Sequence, residues 1–210
     1  IRHFVIDISN PEQRYQDFLD SKTLIIAIPS RDIEGYQRLV AQIETSKVKQ
    51  VLLISTTSVY PLTNSIVTEK SATKASIRVD IEDLFITNHH FDTTVLRFAG
   101  LFGGKRQPGN FFKPGRIIDH PEGYVNLIHR DDCIGIIMEI LRQNLWGEVL
   151  NACSSDHPKR RAFYTWAAVQ VGRNDLSFNE QADNHYKIVS SQKLQELLGY
   201  QFKYDKLMER

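Results

Sequence analysis

The chain has 210 residues, a formal net charge of +1, 41% hydrophobic and 24% charged residues. That length buries a sizeable core in one or two domains. The balanced charge argues against nucleic-acid or membrane-surface binding, which needs a basic excess. Apolar runs such as residues 24–28 and 51–54 fall far short of the roughly 20 residues that span a bilayer.

The first half reads as alternating strand and helix. His3–Ile6 is a short apolar run ending at Asp7, and Asn10-Pro11-Glu12 signals a helix start, so a helix is expected over Pro11–Leu19. A continuous apolar strand follows at Thr23–Ile28, stopped by Pro29-Ser30. Asp32–Thr45 carries Ile33, Tyr36, Leu39, Val40 and Ile43 at helical spacing. Val51–Ile54 is a strand, Ser55–Ser71 a polar loop, Lys74–Asn88 a helix with Ile77, Ile81, Leu84 and Phe85 on one face, and Thr94–Phe98 a strand. Strands apolar on both faces, separated by helices, predict a parallel sheet covered on both sides, a doubly wound α/β architecture.

The second half is looser. Gly100–Gly123 is a Gly- and Pro-rich loop, followed by a strand at Tyr124–His129. Next comes a helix at Asp131–Gln143 with Cys133, Ile134, Ile137, Met138 and Leu141 inward. A short strand at Glu148–Asn151, a helix at Arg160–Val171, a strand at Tyr186–Val189 and a helix at Ser191–Leu198, closed by Gly199, complete a small C-terminal α/β lobe. The division is a nucleotide-binding part over residues 1–105 and substrate-lobe segments over 106–210, with sheet continuing to about 151. Cys133 and Cys153 make neither a disulfide framework nor a four-cysteine zinc site, and no histidine spacing indicates a metal. Two buried thiols fit a reducing, cytoplasmic compartment.

In such sheets ligands sit beyond the carboxyl ends of the strands. Residues 7–8, 27–30, 55–61, 99–106 and 129–132 are therefore the segments that matter. Four stretches there and beyond have a recognisable wording. Residues 51–61 (VLLISTTSVYP) resemble the strand and turn of extended short-chain dehydrogenases, the NAD-dependent epimerase/dehydratase family. Residues 96–103 (LRFAGLFG), 126–133 (NLIHRDDC) and the tail from Lys187 to Phe202 resemble later motifs in the same order, the tail being similar to that of an atypical subgroup. The resemblance runs from about residue 5 to 204. It implies a Rossmann-like fold binding NAD or NADP and a small-molecule, sugar-nucleotide-like or small polar substrate. A homodimer through helices such as 32–45 and 74–88 is also implied.

Carried onto this sequence, the resemblance makes Thr56 the hydroxyl that bonds the substrate oxygen, with Thr57 beside it. Tyr60 becomes the turn tyrosine under the sugar. Asp7 and Ile8 lie near the adenine, and Ala27, Ile28 and Pro29 face the adenine-ribose crevice. Arg97, Ala99, Gly100 and Leu101 lie on the nicotinamide side. Arg106, Asn110 and Arg116 lie in the loop that holds a diphosphate, for which Arg is chemically suited. His129, Asp131 and Asp132 are read as a structural tether at a helix start.

Two departures matter. The family opens with a strand and G-x-x-G-x-x-G, whereas Gly35 is the first glycine here. The first βαβ unit, about 50–60 residues, is thus expected to lie outside these residues, and the start at Ile1 without Met is read the same way. The family's Tyr and Lys four residues on, general acid/base and its pKa-lowering partner, are also missing. None of the eight tyrosines has Lys four residues later, and the helix offers Lys74 and Arg78 at that spacing. Two functions stay open. One is an epimerase/dehydratase-like or oxidoreductase protein without the usual pair, using Thr56, Thr57 and Arg78, with Lys74 or Arg78 on the cofactor ribose or a substrate anion. The other is a catalytically silent nucleotide-binding sensor.

Overall fold

The computed structural model describes residues 2–209. In chain order its elements are β1 (Thr23–Ile26), α1 (Ile33–Glu44), β2 (Gln50–Thr56), β3 (Ile66–Val67), α2 (Ile77–Ile86), β4 (Asp92–Phe98), β5 (Gly100–Phe102), β6 (Ile117–Ile118), β7 (Leu127–His129), α3 (Arg130–Gln143), β8 (Val149–Ala152), α4 (Arg160–Gln170), β9 (Ser177–Phe178), β10 (Ile188–Val189) and α5 (Gln192–Leu198). They fall into two compact units. One takes the chain up to Val59 with Thr73–Arg97 and Asn144–Leu150; the other takes Tyr60–Ala72, Phe98–Gln143 and the chain from Asn151 onward. Among the described residues no helix is long and apolar enough to cross a membrane.

The first unit is built on a sheet with strand order β1-β2-β4-β8. β1 and β2 run parallel, Thr23 opposite Gln50 through Ile26 opposite Leu53. This is the parallel α/β sheet that the alternation of apolar runs and helical stripes predicts. Leu24, Ile26, Val51, Leu53 and Val95 pack with Tyr36, Leu39, Val40 and Ile43 of α1 and Ile81 and Phe85 of α2 in one core. Asp32 caps α1, its carboxylate accepting from the Gly35 amide at 3.0 Å. A Cβ on Gly35 would lie 2.7 Å from the Ile8 carbonyl, so glycine lets the 7–9 segment lie against the start of α1.

Several expectations are corrected. His3–Ile6 is not a strand: residues 2–6 are irregular and Val5 is 97% exposed. An extended run becomes a strand only when a neighbour supplies a ladder, and among the described residues none does so here. Pro11–Leu19 is a series of turns rather than a helix. Asn10 does accept from the Glu12 amide, but the Gln13 side chain turns back to the Asp7 amide. A single helical bond, Leu19 amide to Tyr15 carbonyl at 2.8 Å, forms between two core residues; so short a segment does not recover the cost of nucleation. α2 starts at Ile77, so Lys74 precedes the helix instead of sharing a turn with Arg78. The loops at 55–71 and 100–123 contain short strands and 3-10 turns.

The second unit gathers three two-stranded parallel ladders, β10-β3, β5-β7 and β6-β9. Its core joins Ile118, Val125, Leu127, Phe163, Tyr164 and Leu207. α3 is rotated from its expected register. Asp132, Cys133, Ile136 and Ile140 face inward, whereas Ile134 and Met138 are exposed. Ile134, Ile136, Ile137, Met138, Ile140 and Leu141 lie too close together in sequence to mark one stripe, and a buried Asp132 turns the helix so that Ile136 and Ile140 face inward. Gly199 closes α5 in the left-handed conformation at φ 63°. Cys133 and Cys153 are free and buried. Burial, then the nearby Asp132 charge, pushes the Cys133 thiol up to about 12, and burial raises Cys153 as well.

His157 sits with its Nδ1 3.1 Å from the Val125 carbonyl, and burial holds its pKa below the ordinary histidine value. The unfolded chain therefore binds a proton that the folded chain resists. Stability from this group is complete above about pH 6.5 and is lost as pH falls through that value toward the lower folded pKa. Urea midpoints at pH 7.5, 6.5 and 5.5 should fall with pH, and less steeply in His157→Gln. An identical slope in the variant would remove His157 from the account.

Candidate functional site

In the first unit the sheet delivers its candidate residues at the carboxyl ends of the strands. Ala27, Ile28 and Pro29 follow β1 and are exposed. The Tyr36 hydroxyl donates to the Ile28 carbonyl at 3.1 Å and holds that turn in place. Asp7 is exposed and Ile8 buried. The Asp7 carboxylate accepts from the Ser9 hydroxyl and amide, which keeps its pKa below the usual range. Arg38 reaches across to the Ile8 carbonyl at 3.0 Å.

Thr56 ends β2 and is half-buried. Its Oγ1 accepts from the Ser58 amide at 3.2 Å, so the hydroxyl caps the turn and keeps a proton to donate. Thr57 is buried in the following 3-10 turn. Lys74 is exposed, its amide donating to the Val59 carbonyl at 2.9 Å. Arg78, the second residue of α2, is half-buried.

Below this end lies a network that sequence reasoning missed. Ser55 donates to Glu82 at 2.5 Å, and Arg97 closes on the same carboxylate through Nε and a terminal nitrogen. Glu82 is 1% exposed and Arg97 6%. Arg97, expected on the nicotinamide side, thus turns its guanidinium onto Glu82. The signal for this was faint. Glu82 lies one turn beyond Arg78 on the apolar side of α2, and Ser55 and Arg97 share the strand faces of Leu53 and Val95.

In the second unit Tyr60 is 1% exposed. Its hydroxyl donates to Asn151 at 2.9 Å and its carbonyl accepts from Lys187 at 2.6 Å. The phenol is thus part of the core. Ala99 is buried, its amide bonded to Ala152, and Gly100 is exposed, its amide bonded to the Asn126 carbonyl. A side chain at Gly100 would meet Leu127 at 2.7 Å. Leu101 is 43% exposed, and its carbonyl accepts from Arg106. The Arg106 guanidinium also lies 4.7 Å from the Phe111 ring centre. An open cavity of about 530 Å³ is lined there by Lys105, Arg106, Asn110, Phe111 and Phe112. Arg116 is exposed outside that lining.

His129 stacks on Tyr204 at 3.6 Å between ring centres, and its Nδ1 accepts from the Asp131 amide. Asp132, fully buried, accepts from the Tyr200 hydroxyl and from the Lys203 and Tyr204 amides. These residues tie the C-terminal segment down. Among the described residues no group of three or more His, Cys, Asp or Glu could hold a metal ion.

No family profile matches the chain. It is 28% identical over 200 residues to Protein YeeZ of Escherichia coli (strain K12), covering 89% of this chain and 73% of that protein. Among solved structures it is similar to MoeE5 in complex with UDP-glucuronic acid and NAD, with a TM-score of 0.79 and 17% identity, covering 96% of this chain and 80% of that one. It is also similar to UDP-glucuronic acid 4-epimerase from Bacillus cereus in complex with NAD, with a TM-score of 0.77 and 20% identity, covering 97% and 77%. The fold of this chain is theirs: an α/β architecture on a parallel sheet of the Rossmann kind.

Proposed function

We propose that the protein binds NAD or NADP at the carboxyl ends of β1 and β2 and acts on a sugar-nucleotide-like or small polar substrate, as an atypical member of the NAD-dependent epimerase/dehydratase group. The observation that carries the reading is the set of groups at that end of the first unit: the solvent-open turn at Ala27, Ile28 and Pro29, the Thr56 hydroxyl with a proton to donate, and the half-buried Arg78. Two free, buried thiols agree with a cytoplasmic protein.

The residues fit the group in part. The exposed turn after β1 suits the adenosine end, and Thr56 and Arg78 suit the nicotinamide ribose and the reacting oxygen. The pyrophosphate is another matter, since no glycine-rich cradle occurs among these residues, Gly35 being followed next by Gly100. When bound, the cofactor would supply hydride acceptance and return. The chain's own part is to polarise a substrate oxygen through Thr56 and to place positive charge beside it through Arg78. In the second unit, Arg106 and Asn110, beside Phe111 and Phe112, suit the phosphate and base of a nucleotide.

The missing Tyr-Lys pair favours a second reading, a nucleotide-binding sensor without turnover. Tyr60 cannot replace the lost phenol, because its hydroxyl is committed to Asn151. Calorimetry with NAD and NADP tests binding, and no heat at millimolar concentration rejects it. Turnover of UDP-glucuronic acid that falls in Thr56→Val would select the enzyme over the sensor.

A further inference from the structure

The second unit holds another cavity, which the proposed reaction does not use. It has a volume of about 450 Å³ and lies between the 3-10 turn at Pro108–Asn110, the second half of α4 and the C-terminal segment. That is within the roughly 300–1,000 Å³ of small-molecule sites. It is separate from the cavity beside Arg106 and shares only Gln107 with it. Contacts already present fix its walls. A side chain on Gly109 would run into the Ala167 carbonyl, so glycine lets the turn lie directly on α4. Arg173 donates to the Gly109 carbonyl at 3.0 Å. In the C-terminal segment the Tyr204 amide donates to Asp132 at 3.1 Å and the Leu207 amide to Asp156 at 2.9 Å. The cavity is formed before any ligand arrives, which spares an ordering cost on binding.

Its lining has two kinds of chemistry. Phe102, Trp166 and Tyr204 supply aromatic surface. Phe102 and Trp166 are half-buried. Tyr204 has one face taken by the His129 stack and is still 41% exposed. Three aromatic side chains around one space suit a flat aromatic group. The charges are Lys206 and Glu209, both exposed. Among the described residues neither makes an ion pair, with the other or with any third group. Arg173, which holds the turn, is closed on Asp175 at 2.8 Å. The cavity therefore carries one cation, one anion and no net charge.

We propose that this cavity binds a free aromatic amino acid. The ring lies among Phe102, Trp166 and Tyr204, the carboxylate meets Lys206 and the ammonium meets Glu209. A simple anion would face Glu209 uncompensated, and a simple cation would face Lys206; a zwitterion satisfies both. The occupant joins α4 to the C-terminal segment. All of these groups belong to the second unit, so the site is independent of the cofactor reading.

Calorimetry of the full chain tests this with L-tryptophan and three partial copies of it. Tryptamine lacks the carboxylate, indole-3-propionate lacks the ammonium, and L-alanine lacks the ring. L-Tryptophan should bind on the order of 1 mM or tighter, the two indole analogues about threefold more weakly, and L-alanine not measurably. Lys206→Met changes an exposed side chain and should leave the fold intact. It should weaken L-tryptophan about threefold and leave tryptamine unchanged, since tryptamine has no carboxylate to lose a partner. Saturating L-tryptophan should slow amide hydrogen exchange over residues 166–171 and 203–209. No heat with L-tryptophan at about 10 mM overturns the proposal. So does equal affinity for L-tryptophan and either indole analogue, an unchanged L-tryptophan affinity in Lys206→Met, or protection that leaves residues 203–209 unaltered.

Discussion

Replacing Glu82 with alanine is expected to lower the unfolding free energy by about 3–5 kcal/mol. The carboxylate is 1% exposed and accepts from three groups: the Ser55 hydroxyl and two nitrogens of Arg97. Its removal leaves a guanidinium, itself 6% exposed, without its counter-charge between the sheet and α2. Arg97→Ala should cost a similar amount by stranding the carboxylate. The double variant Glu82→Leu/Arg97→Met should recover most of the loss, because packed apolar side chains avoid the desolvation that both charges suffer. Urea denaturation of the three variants decides this. A single-variant loss below about 1 kcal/mol would mean that the pair behaves like an exposed ion pair. The network also matters for the site, because Ser55 directly precedes Thr56. A change at Glu82 should therefore reach Thr56 without touching any ligand.

The second large effect is expected at Asp132. Asp132→Ala should cost about 3 kcal/mol or more, since a buried carboxylate then leaves the Lys203 and Tyr204 amides and the Tyr200 hydroxyl unmatched. Asp132→Asn should cost less, because one oxygen remains to accept. The distinguishing readout is local. Amide hydrogen exchange over residues 199–207 should accelerate in Asp132→Ala ahead of the rest of the chain. Uniform acceleration would show that the tail has no separate anchor. Tyr204 leaves its stack on His129 in that event, so fluorescence from the tail should change with exchange.

The sequence made the parallel sheet legible because its strands are buried and apolar on both faces and its helices carry clear stripes. α1 lies within one residue of its expected ends, with the very apolar positions named for it packed in the core. Where the pattern was thin, tertiary context decided. His3–Ile6 has the composition of a strand and lacks a neighbour. Pro11–Leu19 has a helix-start signal but a side chain, Gln13, drawn elsewhere. α3 carries exposed apolar residues, Ile134 and Met138, beside its buried ones, and its rotation depends on Asp132, whose role appears only once residues 200–204 fold back onto it. The candidate site was legible as a set of segments after strands. Its wiring was not. Glu82 and Arg97 lie 15 residues apart in sequence, and nothing local in either segment announces that they meet. Tyr60 and Asn151, 91 residues apart, are likewise joined only by the fold.

Hydrogen exchange measured with and without saturating NAD tests the central claim most directly. With NAD bound, exchange should slow in peptides covering residues 27–30, 55–59 and 74–79, the strand ends and helix start of the first unit. Unchanged exchange in all three, or protection confined to other segments, would contradict it.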